Sequence, residues 1–245
     1  MVVEQSLFRP RFYKYFDDKV NNHSQKRGVV KTKTNKAMLK YFSLLALTAI
    51  IFACSLNQEP QSLPIIGNRD VVDGDTVYHT IPDFAFVDQD SNLVTNETFA
   101  NKVYVADFFF TSCPTICPKT TKQMLRLYER YEHDDRVVLL AHTVDPVRDS
   151  VGKLKLYAEN LGVESDKWHF VTGKKDELYE IADDYFSIAK EDPSVPGGFD
   201  HSGRFILVDK NRHVRSFCDG TDPESVDQFM RDIDALLAQE YPQGG

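Results

Sequence analysis

Long apolar runs alternate along this chain with segments whose apolar residues recur every three or four positions. Residues 103–110 and 136–144 are apolar almost throughout and rich in β-branched and aromatic side chains, which predicts two buried strands. The segment between them has one apolar helical face, formed by Met124, Leu125, Tyr128 and Tyr131. Two such strands joined by a helix predict a right-handed βαβ unit with parallel pairing.

The same patterns predict further elements on both sides of this unit. Asp149 or Ser150 is expected to cap a helix that ends at Gly162. The other predicted elements are strands 81–87, 168–172, 204–209 and 214–218, a short strand at 77–78, a helix over 176–186, a loop over 188–198 and a closing helix that starts with a capping box at 221–224. The order predicts an α/β protein of thioredoxin-like fold, with a central mixed sheet flanked by helices.

The first 75 residues differ from the rest in composition. Residues 1–37 lack periodicity and indicate a disordered basic leader, or a start codon assigned too early, with Met38 as the true start. Residues 38–54 resemble a secretory signal, because a lysine flank precedes a short apolar run that ends at Cys54. Residues 55–75 are polar and predict a tether, which leaves 76–242 as the folded domain.

The end of this signal resembles the cleavage box of bacterial lipoproteins, in which the cysteine becomes the lipid-bearing first residue. Cys54 is therefore the predicted lipidation site, and the domain is expected outside the cytoplasm, held near a membrane. An uncleaved anchor helix and ordinary signal cleavage are the alternatives. The apolar run has about fourteen residues, whereas a bilayer span needs about twenty.

Charge also distinguishes the leader from the rest of the chain. Residues 1–37 carry nine Lys or Arg against three Asp or Glu, while residues 55–245 carry nineteen against thirty-four, a net charge of −15. Phosphates would repel such an acidic domain, which argues against nucleic acid as a partner. The four cysteines are too few for a disulfide scaffold, so reactive or ligand roles are favoured.

Two of these cysteines stand where the first buried strand passes into a helix. Cys113 and Cys117 are four positions apart, and Pro118 suits the first helical turn. The positive end of the helix dipole and free backbone N–H groups favour thiolates there. A pair of this kind can close a disulfide or bind a soft metal ion. Two sulfurs leave a metal site incomplete, and the chain offers a possible third ligand far downstream, His201 in Asp200-His201-Ser202.

Three motifs together resemble the Sco (SenC) family, over roughly residues 81–240. They are Cys-Pro-Thr-Ile-Cys-Pro at 113–118, Thr-Val-Asp-Pro-Val-Arg-Asp at 143–149 and Phe-Asp-His-Ser at 199–202. The resemblance implies a thioredoxin-fold, copper-binding protein that assists assembly of the copper centre of cytochrome c oxidase. It also implies that Cys113, Cys117 and His201 are the copper ligands.

Copper fits this set of donors. Copper(I) is soft and accepts two or three ligands, and an imidazole also suits copper(II), whereas structural zinc requires a fourth ligand. Asp200 and Asp145 are candidate carboxylates around the imidazole, although a solvated side chain and an Asp-Pro turn explain them equally well. The expected partners are the copper-bearing oxidase subunit or another copper chaperone.

Other functions remain open at this point. The cysteine pair also suits a thiol–disulfide oxidoreductase, in which one thiol attacks a partner's disulfide and the other resolves it. A peroxidase fits the spacing less well. The remaining candidate side chains have structural explanations. His142 and His169 are expected at the edge of the core, His133 on the surface, and Cys218 as a small buried hydrophobe. Asn96 lies in a sequence that matches a glycosylation motif by chance.

Overall fold

The middle of the molecule is a parallel three-stranded unit. The computed structural model describes residues 62–242. Strands β5 (Val103–Phe109), β6 (Val137–Thr143) and β7 (Trp168–Thr172) lie side by side in parallel. Every residue of β5 and β6 is buried, as their continuous apolar sequences predict. The predicted βαβ unit is confirmed.

Four antiparallel strands complete a seven-stranded sheet. Beyond β5 lie β10 (Arg204–Val208) and β11 (Val214–Asp219), which form the predicted hairpin. Beyond β7 lie β3 (Ala85–Asp88) and β4 (Leu93–Thr95). The strand order is β11-β10-β5-β6-β7-β3-β4, so the sheet is mixed and β5 lies near its centre.

Within residues 62–242, four helices accompany the sheet: α1 (Cys117–Tyr131), α2 (Val151–Leu161), α3 (Lys175–Asp184) and α4 (Pro223–Glu240). A 3₁₀ turn spans Asn96–Phe99. Gly162 ends α2 in the left-handed region with φ of 71°, and the Asp222 carboxylate accepts a hydrogen bond from the backbone N–H of Glu224 at the start of α4. The predicted thioredoxin-like α/β fold is confirmed.

Two small hairpins in the described part of the chain stand apart from the main sheet. Strands β1 (Arg69–Val72) and β2 (Asp75–Tyr78) pair with each other, as do β8 (Ala189–Glu191) and β9 (Phe199–His201). Strand β8 lies in the predicted 188–198 loop, and β1 lies in the predicted 55–75 tether. The tether is thus partly structured, since Arg215 also donates hydrogen bonds to the carbonyls of Leu63 and Pro64.

Among the predicted boundaries that differ from the structure, two have a clear local reason. The strand predicted from residue 81 begins only at Ala85, because Pro82 has no N–H and its carbonyl accepts a hydrogen bond from the Asn96 side chain. The helix predicted to residue 186 ends at Asp184. Phe186 has φ of 55°, a left-handed conformation that cannot continue a right-handed helix. Neither difference changes the predicted position of the cysteine loop between β5 and the following helix.

The predictions for the first part of the chain fall outside the described residues. These are the leader 1–37, the signal 38–54 with Cys54, and the start of the tether up to residue 61. Among residues 62–242, the structure contains no helix of the length and apolarity needed to cross a bilayer.

Candidate metal centre

The first two candidate ligands lie at the end of the central strand. Cys113 follows β5 in a short loop, where its backbone N–H donates to the carbonyl of Phe110 at 3.2 Å. Cys117 is the first residue of α1, followed by Pro118, which is tolerated there because the first helical N–H groups have no intrahelical acceptor. The Cys117 N–H donates to Cys113 Sγ at 3.4 Å. Both thiols are therefore fixed by local backbone structure.

The third candidate ligand comes from a distant segment. His201 lies on β9, and its Nε2 is 3.2 Å from Cys117 Sγ and 3.8 Å from Cys113 Sγ. One donor atom from each residue lies within 4.8 Å of the other two, and all three residues are buried. Among residues 62–242, this is the one group of three or more potential metal-binding side chains that meets at such distances.

A hydrogen bond between the two thiols lowers the pKa of one and raises the pKa of the other. Donation from Cys117, and secondarily from the His201 imidazole and nearby backbone N–H groups, lowers the pKa of Cys113 far below that of a free thiol. The same interaction, together with burial, raises the pKa of Cys117. In the metal-free pair, deprotonation is therefore easier at Cys113 than at Cys117. A soft metal ion that binds both sulfurs displaces any proton that they still carry.

Asp149 fixes the loop before the cysteines. One carboxylate oxygen accepts hydrogen bonds from the Thr111 backbone N–H at 3.0 Å and the Thr143 hydroxyl at 2.6 Å, and the other accepts from the Thr111 hydroxyl at 2.5 Å. Asp149 is fully buried. It was predicted as a possible helix cap, but Ser150 occupies the cap position of α2 and makes no side-chain capping bond. The carboxylate instead ties the ends of β5 and β6 together.

Neither of the two candidate carboxylates is hydrogen-bonded to the His201 ring within the described chain. Asp200 lies beside Lys190, with 3.5 Å between Oδ2 and Nζ. Its side chain and that of His201 point to opposite faces because successive residues of a strand alternate. Asp145 is buried at the end of β6 and forms an ion pair with Arg148. Any influence on the imidazole is therefore indirect.

One polar residue near the site was missed from the sequence. Asp107 lies within β5, is buried, and has one carboxylate oxygen without a hydrogen-bond partner among residues 62–242. Burial raises the pKa of Asp107 to about 7, and its negative charge contributes to raising the pKa of Cys117. An acidic residue inside an apolar strand was the available signal, because such a residue is rarely buried without a role.

The remaining candidates lie away from the cluster. His142 is fully buried among aromatic rings, and His169 is buried with Nδ1 3.2 Å from Asp88 Oδ2. The side chain of His133 is 92% exposed. Cys218 is buried, as predicted for a small hydrophobe, and burial raises the pKa of its thiol to about 12. These environments give none of the four a place in the metal cluster.

Comparison with known proteins identifies the family. A sequence model described as SCO1/SenC matches residues 73–238, well over half of the chain. The chain belongs to the SCO1/SenC family. The match includes all three residues of the cluster, and it confirms the resemblance that the sequence motifs indicated.

Solved structures agree with this assignment. A SCO1/SenC family lipoprotein from Bacillus anthracis is 27% identical, with a TM-score of 0.59, over 64% of this chain and 94% of that one. BsSco, a member of the Sco family of cytochrome c oxidase assembly proteins with a disulfide switch, is 28% identical. Its TM-score is 0.58, over 67% of this chain and 95% of that one. Copper-bound yeast Sco1 is 25% identical, with a TM-score of 0.50, over 67% of this chain and 95% of that one.

Proposed function

We propose that this protein is a membrane-tethered, extracytoplasmic copper metallochaperone for the copper centre of cytochrome c oxidase. The observation that carries the proposal is the buried cluster of Cys113, Cys117 and His201, whose donor atoms lie within 4.8 Å of one another. Two sulfurs and one imidazole nitrogen form a soft donor set suited to copper(I), and the nitrogen also suits copper(II). Yeast Sco1 and BsSco support the two parts of the proposal, copper binding and oxidase assembly respectively.

The cluster fits copper better than it fits structural zinc. A closed zinc site takes four protein ligands in a tetrahedron. The part of the chain that the structure describes places three such residues together, without a fourth Cys, His, Asp or Glu in the group. Three ligands are sufficient for copper(I), and a three-ligand site leaves room for a partner's ligand during transfer.

A second candidate function is reduction of a partner's disulfide. It is favoured by the lowered pKa of Cys113, because a thiolate is the attacking species in disulfide exchange. Cys113 would attack the partner's disulfide to form a mixed disulfide, and Cys117 would then displace the partner as a dithiol. The protein would be oxidised to a Cys113–Cys117 disulfide as the partner is reduced. His201 is not required for this exchange, so its substitution separates the two functions.

The test is complementation of a deletion strain with wild-type protein, His201→Ala or Cys113→Ser. As a chaperone, the His201→Ala protein should bind copper(II) weakly and fail to restore cytochrome c oxidase activity, although its two cysteines still form a disulfide. The Cys113→Ser protein should bind copper(II) weakly, form no internal disulfide and fail to restore cytochrome c oxidase activity. Full oxidase activity together with normal copper(II) binding by His201→Ala would contradict the chaperone assignment and favour the oxidoreductase.

The proposed location follows from the signal-like segment that ends at Cys54. The family includes a protein described as a lipoprotein, the one from Bacillus anthracis. Lipid attached to Cys54 would hold the copper domain at the outer side of a membrane without a spanning helix. A single short tether would keep the domain close to membrane-bound oxidase subunits.

A further inference from the structure

The ligand His201 is carried by a hairpin that is not part of the main sheet. Strands β8 and β9 have three residues each and pair only with one another in the described sheets. An isolated two-stranded hairpin is marginal in water. His201 is linked to β10 through Ser202 and Gly203, so side-chain contacts between the rest of this hairpin and the body of the domain help to fix its position relative to the cysteines.

Arg148 makes three such contacts, beside the ion pair that joins Lys175 to Glu191 of β8. Its Nε forms an ion pair with the buried carboxylate of Asp145, just beyond the end of β6. Its Nη2 donates a hydrogen bond to the carbonyl of Gly197 at 3.3 Å, in the turn between β8 and β9. The guanidinium also lies over the ring of Phe199, with Cζ 5.3 Å from the ring centroid. One side chain thus joins the body to the hairpin.

Aromatic contacts extend from this point to the imidazole. The ring of Phe199 packs on Phe110 with centroids 5.2 Å apart, and Phe110 packs edge-on against His201 at 5.3 Å. Phe110 directly follows β5, so it is part of the rigid support of the cysteine loop. A shift of Phe199 would move His201 relative to the cysteines, because both lie on the same three-residue strand.

We propose that Arg148 is a positioning residue that holds His201 against the cysteine pair, an inference that rests on the proposed copper function. The planar guanidinium is suited to this task, because it can pair with a carboxylate, donate to a carbonyl and stack on a ring at the same time. Lysine would keep the charge and lose the stacking and the forked geometry. Asp145, one of the candidate carboxylates, acts on the site through this arginine.

The test compares Arg148→Met and Arg148→Lys with the wild-type protein. Arg148→Met should weaken copper(II) binding about 10- to 100-fold, the range typical of residues that orient a metal ligand. The nitrogen hyperfine signal of copper(II) in electron paramagnetic resonance should also decrease. Copper(I) affinity should change little, because the two thiols are held by α1 and its preceding loop. Arg148→Lys should restore part of the copper(II) affinity.

Arg130→Met is the matched control. Arg130 also pairs with an aspartate, Asp234, at 2.6 Å, and its Cζ lies 5.5 Å from the ring centroid of Tyr131. The two arginine side chains are similarly exposed, 48% for Arg130 and 51% for Arg148. Arg130→Met should leave copper(II) affinity and its spectrum unchanged. This comparison separates positioning of the ligand from general loss of an ion pair.

A double substitution decides whether Arg148 acts through the imidazole. In the His201→Ala protein, Arg148→Met should cause no further loss of copper(II) affinity, because the ligand that it positions is already absent. A further loss in that background, or wild-type binding and spectrum in Arg148→Met, would overturn the positioning role alone. Unchanged copper(II) binding in His201→Ala itself would overturn the proposed site and the positioning role together.

Discussion

The Nε2 atom of His201 lies 3.2 Å from Cys117 Sγ, although 84 positions separate the two residues in the chain. The cysteine pair is a local structure, set by one loop and the first turn of α1. The imidazole reaches the pair only through the tertiary fold. Copper(I) binding by two thiolates should therefore tolerate damage to the β8–β9 hairpin, whereas binding that requires the imidazole should not.

We expect Asp149→Asn to destabilise the protein and loosen the cysteine loop. The carboxylate accepts bonds from three donors in a buried position, and an amide NH₂ cannot accept in place of one oxygen. Breaking such a network costs about 2–4 kcal/mol of unfolding free energy. Urea denaturation measures the loss. The control is Asp227→Asn, which removes a surface ion pair with Arg126, and an equal effect of both substitutions would contradict the account.

Two neighbouring glycines provide a matched steric test of the hairpin turn. Gly197 and Gly198 have φ of 91° and 85°, so alanine is strained at both positions. A Cβ at Gly197 would lie 2.7 Å from Cζ of Phe110 and 3.1 Å from Cδ of Pro114, whereas a Cβ at Gly198 meets no atom within 4 Å. Gly197→Ala should weaken copper(II) binding more than Gly198→Ala. Equal copper(II) titrations of the two variants would show that this close packing does not position His201.

The buried His142 should make the protein sensitive to acid. Burial lowers the pKa of His142 to about 3, and its ring nitrogens have no hydrogen-bond partner among residues 62–242. Between about pH 6.5 and 3 the unfolded chain therefore binds a proton at this residue that the folded protein excludes, and stability falls as pH falls. His142→Phe should reduce the loss of unfolding free energy between pH 7 and pH 5 by about 2 kcal/mol.

The measurement is chemical denaturation at both pH values. His133→Gln, at an exposed position, is the control and should leave the pH dependence unchanged. Asp107 contributes with the opposite sign, because its raised pKa stabilises the protonated folded state at low pH. The contribution of Asp107 is present in both the wild-type protein and His142→Phe, so it cancels when their pH dependences are compared. The same pH dependence in His142→Phe and wild type would contradict the prediction.

We expect Cys54 to carry lipid at the N-terminus of the mature protein, because a positively flanked apolar run ends at this cysteine. Mass spectrometry of the protein extracted from membranes should detect a chain that begins at a modified Cys54. Cys54→Ser should release the domain from the membrane fraction. Detection of an intact chain that starts at Met1 or Met38 would refute the lipoprotein assignment.

The sequence was sufficient to predict six of the seven strands of the main sheet, all except β4, and the three proposed ligands. Strands such as β5 and β6 are buried on both faces, and their continuous apolar runs indicate this directly. The cysteine pair is close in sequence, so its proximity follows from one short loop and the first turn of α1. His201 was found only because Asp200, His201 and Ser202 resemble a family motif. A lone histidine after a loop carries no such signal.

The supporting contacts could not be predicted in the same way. Strands β8 and β9 are three residues long, too short for a recognisable alternation. The hydrogen bonds of Asp149 join the ends of two strands, and the contacts of Arg148 join separate loops. Such contacts arise from the tertiary arrangement, so sequence patterns suggested a helix cap for Asp149 and no role for Arg148.

The most direct test of the copper site is X-ray absorption spectroscopy of the reduced protein with one equivalent of copper(I). We expect two sulfur neighbours and one nitrogen neighbour around the metal. His201→Ala should lose the nitrogen, and Cys113→Ser or Cys117→Ser should each lose one sulfur and abolish tight binding. A copper environment of oxygen and nitrogen alone, or one that is the same in wild type and both serine variants, would contradict the central claim.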